Sequence, residues 1–311
     1  MTNKHLLNDE LEDCTVKQWA QIWLDVYKKG SVSYPTYKNY KVYVENHIIP
    51  ELGELNIRTV MPYHIISLLG SKKDMSVSAQ NHIRIALKGI FNSAIENNIC
   101  TTNPYIKFPI VKTKESFAYF NLDEVINITK YAPSHKYGHY LLILIYTGLR
   151  LSELLALRWQ SINMNERIIY ITEAVKTSEQ GRILGATKTY KDRKAGIQDN
   201  LHIILDNIPK ESDLVIPGER KRYLSMSCFH DRYYKVIDYI NSRLPKDKRI
   251  RRLSPHKCRH TFGTFLLRSE ANMRAVQTIL GHSSIKTTEK YTHIDEEDIK
   301  KSKLEQIKSD S

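Results

Sequence analysis

The chain has 311 residues, 41% of them hydrophobic and 26% charged, and carries 47 Lys and Arg against 34 Asp and Glu, a formal charge of +13. That composition excludes a disordered or fibrous chain, and an excess of positive charge of this size points to a polyanionic partner. No apolar run reaches 18 residues and MTNKHLLNDELEDC is no secretory signal, so a cytoplasmic protein without a membrane span is expected; the four scattered cysteines (Cys14, Cys100, Cys228, Cys258) fit reduced thiols.

The first third predicts short helices. In TVKQWAQIWLDVY, the residues Val16, Trp19, Ala20, Trp23 and Val26 recur at helical spacing and form an apolar stripe. The two tryptophans read as core rather than as a base-stacking platform. SYPTYKNYKVYVENHIIPELG predicts a second helix, closed by Pro50 and Gly53, and MPYHIISLLG a third, with Pro62 in its first turn. SVSAQNHIRIALKGIFNSAIENNIC predicts a long fourth helix. Ile83, Leu87, Ile90, Phe91, Ala94 and Ile95 line one of its faces, and Asn97-Asn98 ends it. The stretch PYIKFPIVKTKESFAYF has two prolines, a basic cluster and no helical period, so residues 105–120 read as a linker. A helical domain over 14–104 is thus expected after a short tail, 1–13.

A second domain is expected over 121–294. It opens at NLDE, where Asn121 can cap a helix and Glu124 can close a capping box. YGHYLLILIYTGLRLSELLALRW reads as helix, glycine-containing turn, helix, and RIIYIT as a strand. RILGATKTYKDRKAGIQ reads as two short strands joined by a polar hairpin turn, and CFHDRYYKVIDYINSRL as a helix. From Pro255 onward the chain reads as almost wholly helical, broken at Gly281-His282. Residues 295–311 carry Ile299, Leu304 and Ile307 among charges, the pattern of a small amphipathic tail helix.

Several chemically capable groups collect in this second domain. Arg150, in TGLRLSEL, stands where a helix gives way to a turn, and its forked guanidinium can hold two phosphate oxygens. Glu153, three residues on, can steady it. In SPHKCRHTF, His256 and Arg259 are three apart and share a helix face, with Pro255 suited to the first turn and the helix N-terminus adding positive potential. A zinc reading would pair His256 with His260, but lacks an evident third ligand. The segment Arg243–His260 holds eight Lys or Arg and one acid, and it runs into this motif. His282 follows Gly281, and Tyr291 lies nine positions later in EKYTH. One of 19 tyrosines, it is not singled out by spacing alone, and a phenol needs help to become a nucleophile.

Taken in order, TGLRLSEL, ATKTYKDR, HKCRHTFGT and LGHSSIKTTEKYTH resemble the motifs of the tyrosine recombinases of the phage-integrase type. The resemblance implies a mainly α fold with a small antiparallel β-sheet, made of a helical core-binding domain and a catalytic domain. It assigns phosphate clamping to Arg150 and Arg259, the roles of first and second histidine to His256 and His282, the hairpin lysine to Lys188, and the nucleophile to Tyr291. Lys191 and Lys194 stand close enough to compete with Lys188.

The implied reaction cuts and rejoins DNA through a 3′-phosphotyrosine, with no metal, cofactor or ATP. Double-stranded DNA is the implied partner, held by Arg84 and Lys88 of the fourth helix, Lys112 and Lys114 of the linker, and Arg249, Arg251 and Arg252 of the basic run. A tetramer on two DNA sites, coupled through the C-terminal tail, is implied too, with accessory DNA-bending or directionality proteins as further partners; the other reading of the tail is a helix folded on its own domain. Integration or excision of a mobile element is the first reading, Xer-type dimer resolution the second. Residues 1–13 are too short for an added arm-binding domain. The rivals are a catalytically silent DNA-binding protein of the same fold and a strand-relaxing topoisomerase.

Overall fold

The computed structural model describes residues 13–106, 118–186, 192–219, 223–269 and 272–281. The chain divides into two compact units, one built on the N-terminal third together with Thr177–Gly181 and one on the rest. Each has its own apolar core. The fold is mainly helical with small β-sheets, as expected. Among the described residues no helix is long and apolar enough to cross a membrane.

In the first unit, helix α1 (Val16–Ile22) starts at a reciprocal cap: Gln18 N–H donates to Thr15 Oγ1 and Thr15 N–H to Gln18 Oε1. Val16, Trp19, Ala20 and Trp23 are buried, and the Trp19 indole N–H donates to Ile90 O and Ser93 Oγ. Both tryptophans are therefore core. Val26 is not: it is 69% exposed. From Trp23 to Lys28 the chain winds as a π-helix, whose wider turn carries the apolar stripe out of phase.

The second helix, α2 (Tyr34–Tyr43), also passes through a π segment, Val44–Ile48, into a closing turn, Ile49–Leu52. Pro50 thus lies inside the helical run rather than ending it. The π winding lets Ile49 N–H reach back to Val44 O and makes room for a ring that has no N–H. Helices α3 (Pro62–Ser71) and α4 (Val77–Glu96) complete the unit. Ile83, Leu87, Ile90, Phe91 and Ala94 of α4 are buried, with Ile95 at the margin. Asn98, at φ +59°, takes the left-handed conformation that stops the helix.

The second unit opens with α5 (Leu122–Tyr131), where Asn121 and Glu124 form the expected capping box. Helix α6 (Gly138–Thr147) is buried from Tyr140 through Ile145, on all sides, which makes it the axis of the core. Around it pack α8 (Asp199–Asp206), α9 (Met226–Asn241) and α10 (Pro255–Arg268), while α7 (Leu151–Leu154) follows α6 after a sharp turn. A final described helix, α11 (Met273–Leu280), sets Val276 and Leu280 against Phe262, Leu266 and Leu267 of α10. The chain is broken before α11 as well as at Gly281. Asn272 caps the new helix by accepting from the Arg274 and Ala275 N–H groups.

Among the described residues, five short strands form two sheets. In the first, β1 (Ile162–Asn163), β2 (Ile168–Ile171) and β5 (Arg193–Gly196) are antiparallel, in the order β1-β2-β5. In the second, β3 (Glu173–Ser178) pairs with β4 (Gly181–Ala186). The strands of RILGATKTYKDRKAGIQ therefore do not pair with each other: β4 pairs back with β3, and β5 crosses to β2. The tight turn lies at Glu179-Gln180 instead, ahead of Gly181 at φ +115°. A hairpin needs such a turn, and the notched EAVKTS strand has no clean alternation to announce it.

Candidate active site

The site is organised by helix ends. Helix α6 stops at Gly148, whose φ of +61° suits glycine, and a Cβ there would lie 2.4 Å from Phe262 Cδ1. Two residues later Arg150 occupies the cap position of α7. Its backbone N–H donates to Glu153 Oε2 at 2.8 Å and its Nη1 to Glu153 Oε1 at 2.8 Å. Its Nη2 reaches across to Gly281 O at 3.1 Å, at the end of α11.

Arg259, on α10, is 1% exposed. Its Nη1 donates to Gly148 O at 2.8 Å and its Nη2 to Leu280 O. Two helix C-termini thus give their orphan carbonyls, the negative ends of their dipoles, to one guanidinium. Arg150 and Arg259 converge on the neighbouring carbonyls of Gly281 and Leu280, and His282 is the next residue in the chain.

His256 projects from the first turn of α10, one turn before Arg259, and is exposed. Packing around the imidazole, and then the positive charges of Arg259, Lys257 and Arg150, lower its pKa from the ordinary histidine value. A neutral imidazole near two arginines can accept a proton. The His256 and His260 rings meet edge to face with centroids 4.7 Å apart. Among the described residues no group of three or more His, Cys, Asp or Glu is placed to share an ion.

Sequence reasoning missed Arg193. It is 9% exposed, and its Nη2 donates to Glu153 Oε2 at 2.5 Å. Glu153, at 2% exposed, therefore joins two arginines. Burial lowers the Arg193 pKa from its ordinary value; the Glu153 charge works against that fall and the Arg150 charge adds to it. The signal was present in strand alternation: Arg193, Ala195 and Ile197 all point inward. A charge at an inward position implies a buried partner.

Lys188, Lys191, His282 and Tyr291 lie outside the described residues, as do Lys112 and Lys114. Of the other expected DNA contacts, Lys88, Arg249, Arg251 and Arg252 are exposed. Arg84 is 6% exposed and lies on the same α4 face as Leu87 and Phe91. Arg251 keeps about half of its side chain exposed while pairing with Glu124, donating its N–H and Nε to Oε1 at 2.8 and 2.9 Å and its Nη2 to Oε2 at 2.6 Å. Burial opposes the Glu124 charge, but the hydrogen bonds from Arg251 and Asn121 outweigh it and hold the carboxyl below its ordinary range. Arg252 pairs with Asp238 and stacks on Tyr234. A cavity of about 850 Å³ between α5, α6 and α8 is lined by Ile126, His139, Tyr146 and Ile203, and shares no residue with the arginine cluster.

The phage integrase family model matches residues 117–298, and its N-terminal SAM-like domain model matches residues 15–72. The chain belongs to the phage integrase family. It is 33% identical to tyrosine recombinase XerD of Pasteurella multocida over 160 residues, 51% of this chain and 50% of that protein. The chain spans about half the length of this and the other leading curated relatives it matches. XerD of Staphylococcus aureus is 25% identical over 278 residues, 85% of this chain and 87% of the relative.

Among solved structures, the Tn1549 transposon integrase in complex with a circular intermediate DNA superposes with a TM-score of 0.76 at 21% identity, over 89% of this chain and 94% of that one. The lambda integrase tetramer bound to a Holliday junction gives a TM-score of 0.69 at 18% identity, over 91% and 82%. Both likenesses establish the fold.

Proposed function

We propose that this protein is a site-specific DNA recombinase that breaks and rejoins strands through a 3′-phosphotyrosine at Tyr291. The observation that carries the reading is the convergence of the Arg150 and Arg259 guanidiniums beside Gly281, within a family match that extends to residue 298 and so takes in His282 and Tyr291. In the first step the Tyr291 oxygen bonds to a backbone phosphorus as the bond to the 5′ oxygen breaks. His256 accepts the phenol proton, and Lys188 protonates the departing 5′ oxygen, which leaves as a hydroxyl. Arg150, Arg259 and His282 stabilise the charge that builds on the non-bridging oxygens. A 5′-hydroxyl from a partner strand then attacks the phosphotyrosine and reverses the chemistry. One ester replaces another, so no external energy source is needed.

Residues 14–104 would act as the core-binding domain and 121–294 as the catalytic domain, acting on DNA in the cytoplasm, with 295–311 joining protomers into a tetramer on two sites. Accessory DNA-bending proteins would set direction. A nicked suicide duplex tests the chemistry. The native chain should trap a covalent complex, Tyr291→Phe should bind without trapping, and Arg150→Ala should lose at least ~10²-fold in rate. Trapping at the native rate by Arg150→Ala would remove it from the site.

For the biological role we favour integration and excision of a mobile element. The XerD relatives support dimer resolution as the second reading. Cleavage mapped across host DNA separates them: element ends support the first, and a single chromosomal site supports the second.

A further inference from the structure

We infer that Arg193 is a positioning residue for Arg150, acting through Glu153 and the Gly281 turn, and that it keeps the candidate site positively charged. Three observations combine. The Glu153 carboxylate is shared, Oε1 taking Arg150 Nη1 and Oε2 taking Arg193 Nη2. Arg193 also backs the second anchor of Arg150: a Cβ on Gly281 would lie 2.9 Å from Arg193 Cδ, so the arginine stem supports the turn whose carbonyl holds Arg150 Nη2. Finally, Arg193 Nη1 is buried with no hydrogen-bond partner among the described residues.

The charge balance explains why a second arginine is needed. Glu153 fixes the orientation of Arg150 but cancels its charge, which would leave Arg259 as the one net positive charge of the two converging arginines. Arg193 adds one positive charge to the buried group without exposing a new side chain. Oriented donors with a net positive charge, set before substrate arrives, are what stabilisation of a phosphoryl transition state requires. Arg193 opens β5, which follows directly on the segment carrying Lys188, so one residue ties that strand to the Arg150 turn and to the residue before His282.

The cleavage half of the test rests on the recombinase reading, and the spectroscopic half does not. In the native chain, side-chain nitrogen NMR should show Arg150 with two distinct, slowly exchanging Nη signals. Arg193→Gln should merge them, and Arg193→Lys, which keeps the charge, should leave them largely resolved. On the suicide duplex, Arg193→Gln should cleave ~10–100-fold more slowly with DNA binding changed less than about threefold, and Arg193→Lys should recover much of the rate. Resolved Arg150 signals in Arg193→Gln would overturn the inference, as would equal losses in the Gln and Lys variants. Failure of the native chain to trap DNA would sink the recombinase reading alone and leave the NMR result to decide the role of Arg193. If Arg193→Gln does not fold, the Lys variant still decides: merged signals there would refute an electrostatic role.

Discussion

Arg259→Lys keeps the charge and most of the stem, and so isolates what the guanidinium fork does. In the native chain Nη1 and Nη2 satisfy two carbonyls, Gly148 O and Leu280 O, in a site where Arg259 is only 1% exposed. An ammonium on a shorter reach can serve one of them. The other becomes a buried acceptor without this donor, at a cost of about 2–3 kcal/mol. That is a large share of the roughly 5–15 kcal/mol that holds a domain folded. For a unit of this size it corresponds to a fall in Tm of about 4–12 °C. Calorimetry on the full chain supplies its own control, because the two units have separate cores. The transition of the second unit should fall while that of the first stays in place. Hydrogen exchange should quicken in the last turns of α6 and α11, the two helices that Arg259 joins. A variant with both transitions at native temperature and native exchange would refute the claim that these carbonyls depend on Arg259.

Other outcomes follow from the same geometry. Gly148→Ala places a Cβ 2.4 Å from Phe262 at φ +61°, so it should destabilise the second unit by more than the ~1–2 kcal/mol of a left-handed backbone alone, measured by chemical denaturation. Arg251→Ala should cost about 1–3 kcal/mol by stripping Glu124 of its partner, whereas Arg249→Ala should leave stability within about 0.5 kcal/mol and flatten the salt dependence of DNA binding. Burial holds the His139 pKa at about 4, well below its ordinary 6.5, so the unfolded chain takes up the proton first. Stability from this residue is complete above pH 6.5, is lost as pH falls toward 4, and amounts to about 3 kcal/mol. Urea midpoints of the native chain and His139→Gln at pH 7.5 and 4.5 check it: an equal drop in both would contradict it.

Periodicity carried far where burial is one-sided. The stripe on α4 and the capping box at Asn121 were readable because each rests on contacts within a few residues. The π segments were not: Val26 and Pro50 follow patterns written for 3.6 residues per turn, and nothing local announces a change of winding. The sheet partners were hidden for another reason, since β5 pairs with β2 and not with its sequence neighbour β4. Arg150, His256 and Arg259 were legible from residue type and order, and the structure places them around the ends of α6, α10 and α11. The jobs of individual arginines were not legible. Arg251 and Arg84 look like surface charges in the sequence, yet one is claimed by a carboxylate and the other by a helix face. Strand alternation marks Arg193 as inward-facing, but only the three-dimensional pairing names Glu153 as its partner.

The most direct measurement is the identity of the residue left on DNA. After trapping on a nicked duplex and proteolysis, mass spectrometry should find a peptide in which Tyr291 is linked to a 3′ phosphate. An adduct on any other side chain, or strand breakage with no protein attached, would contradict the account.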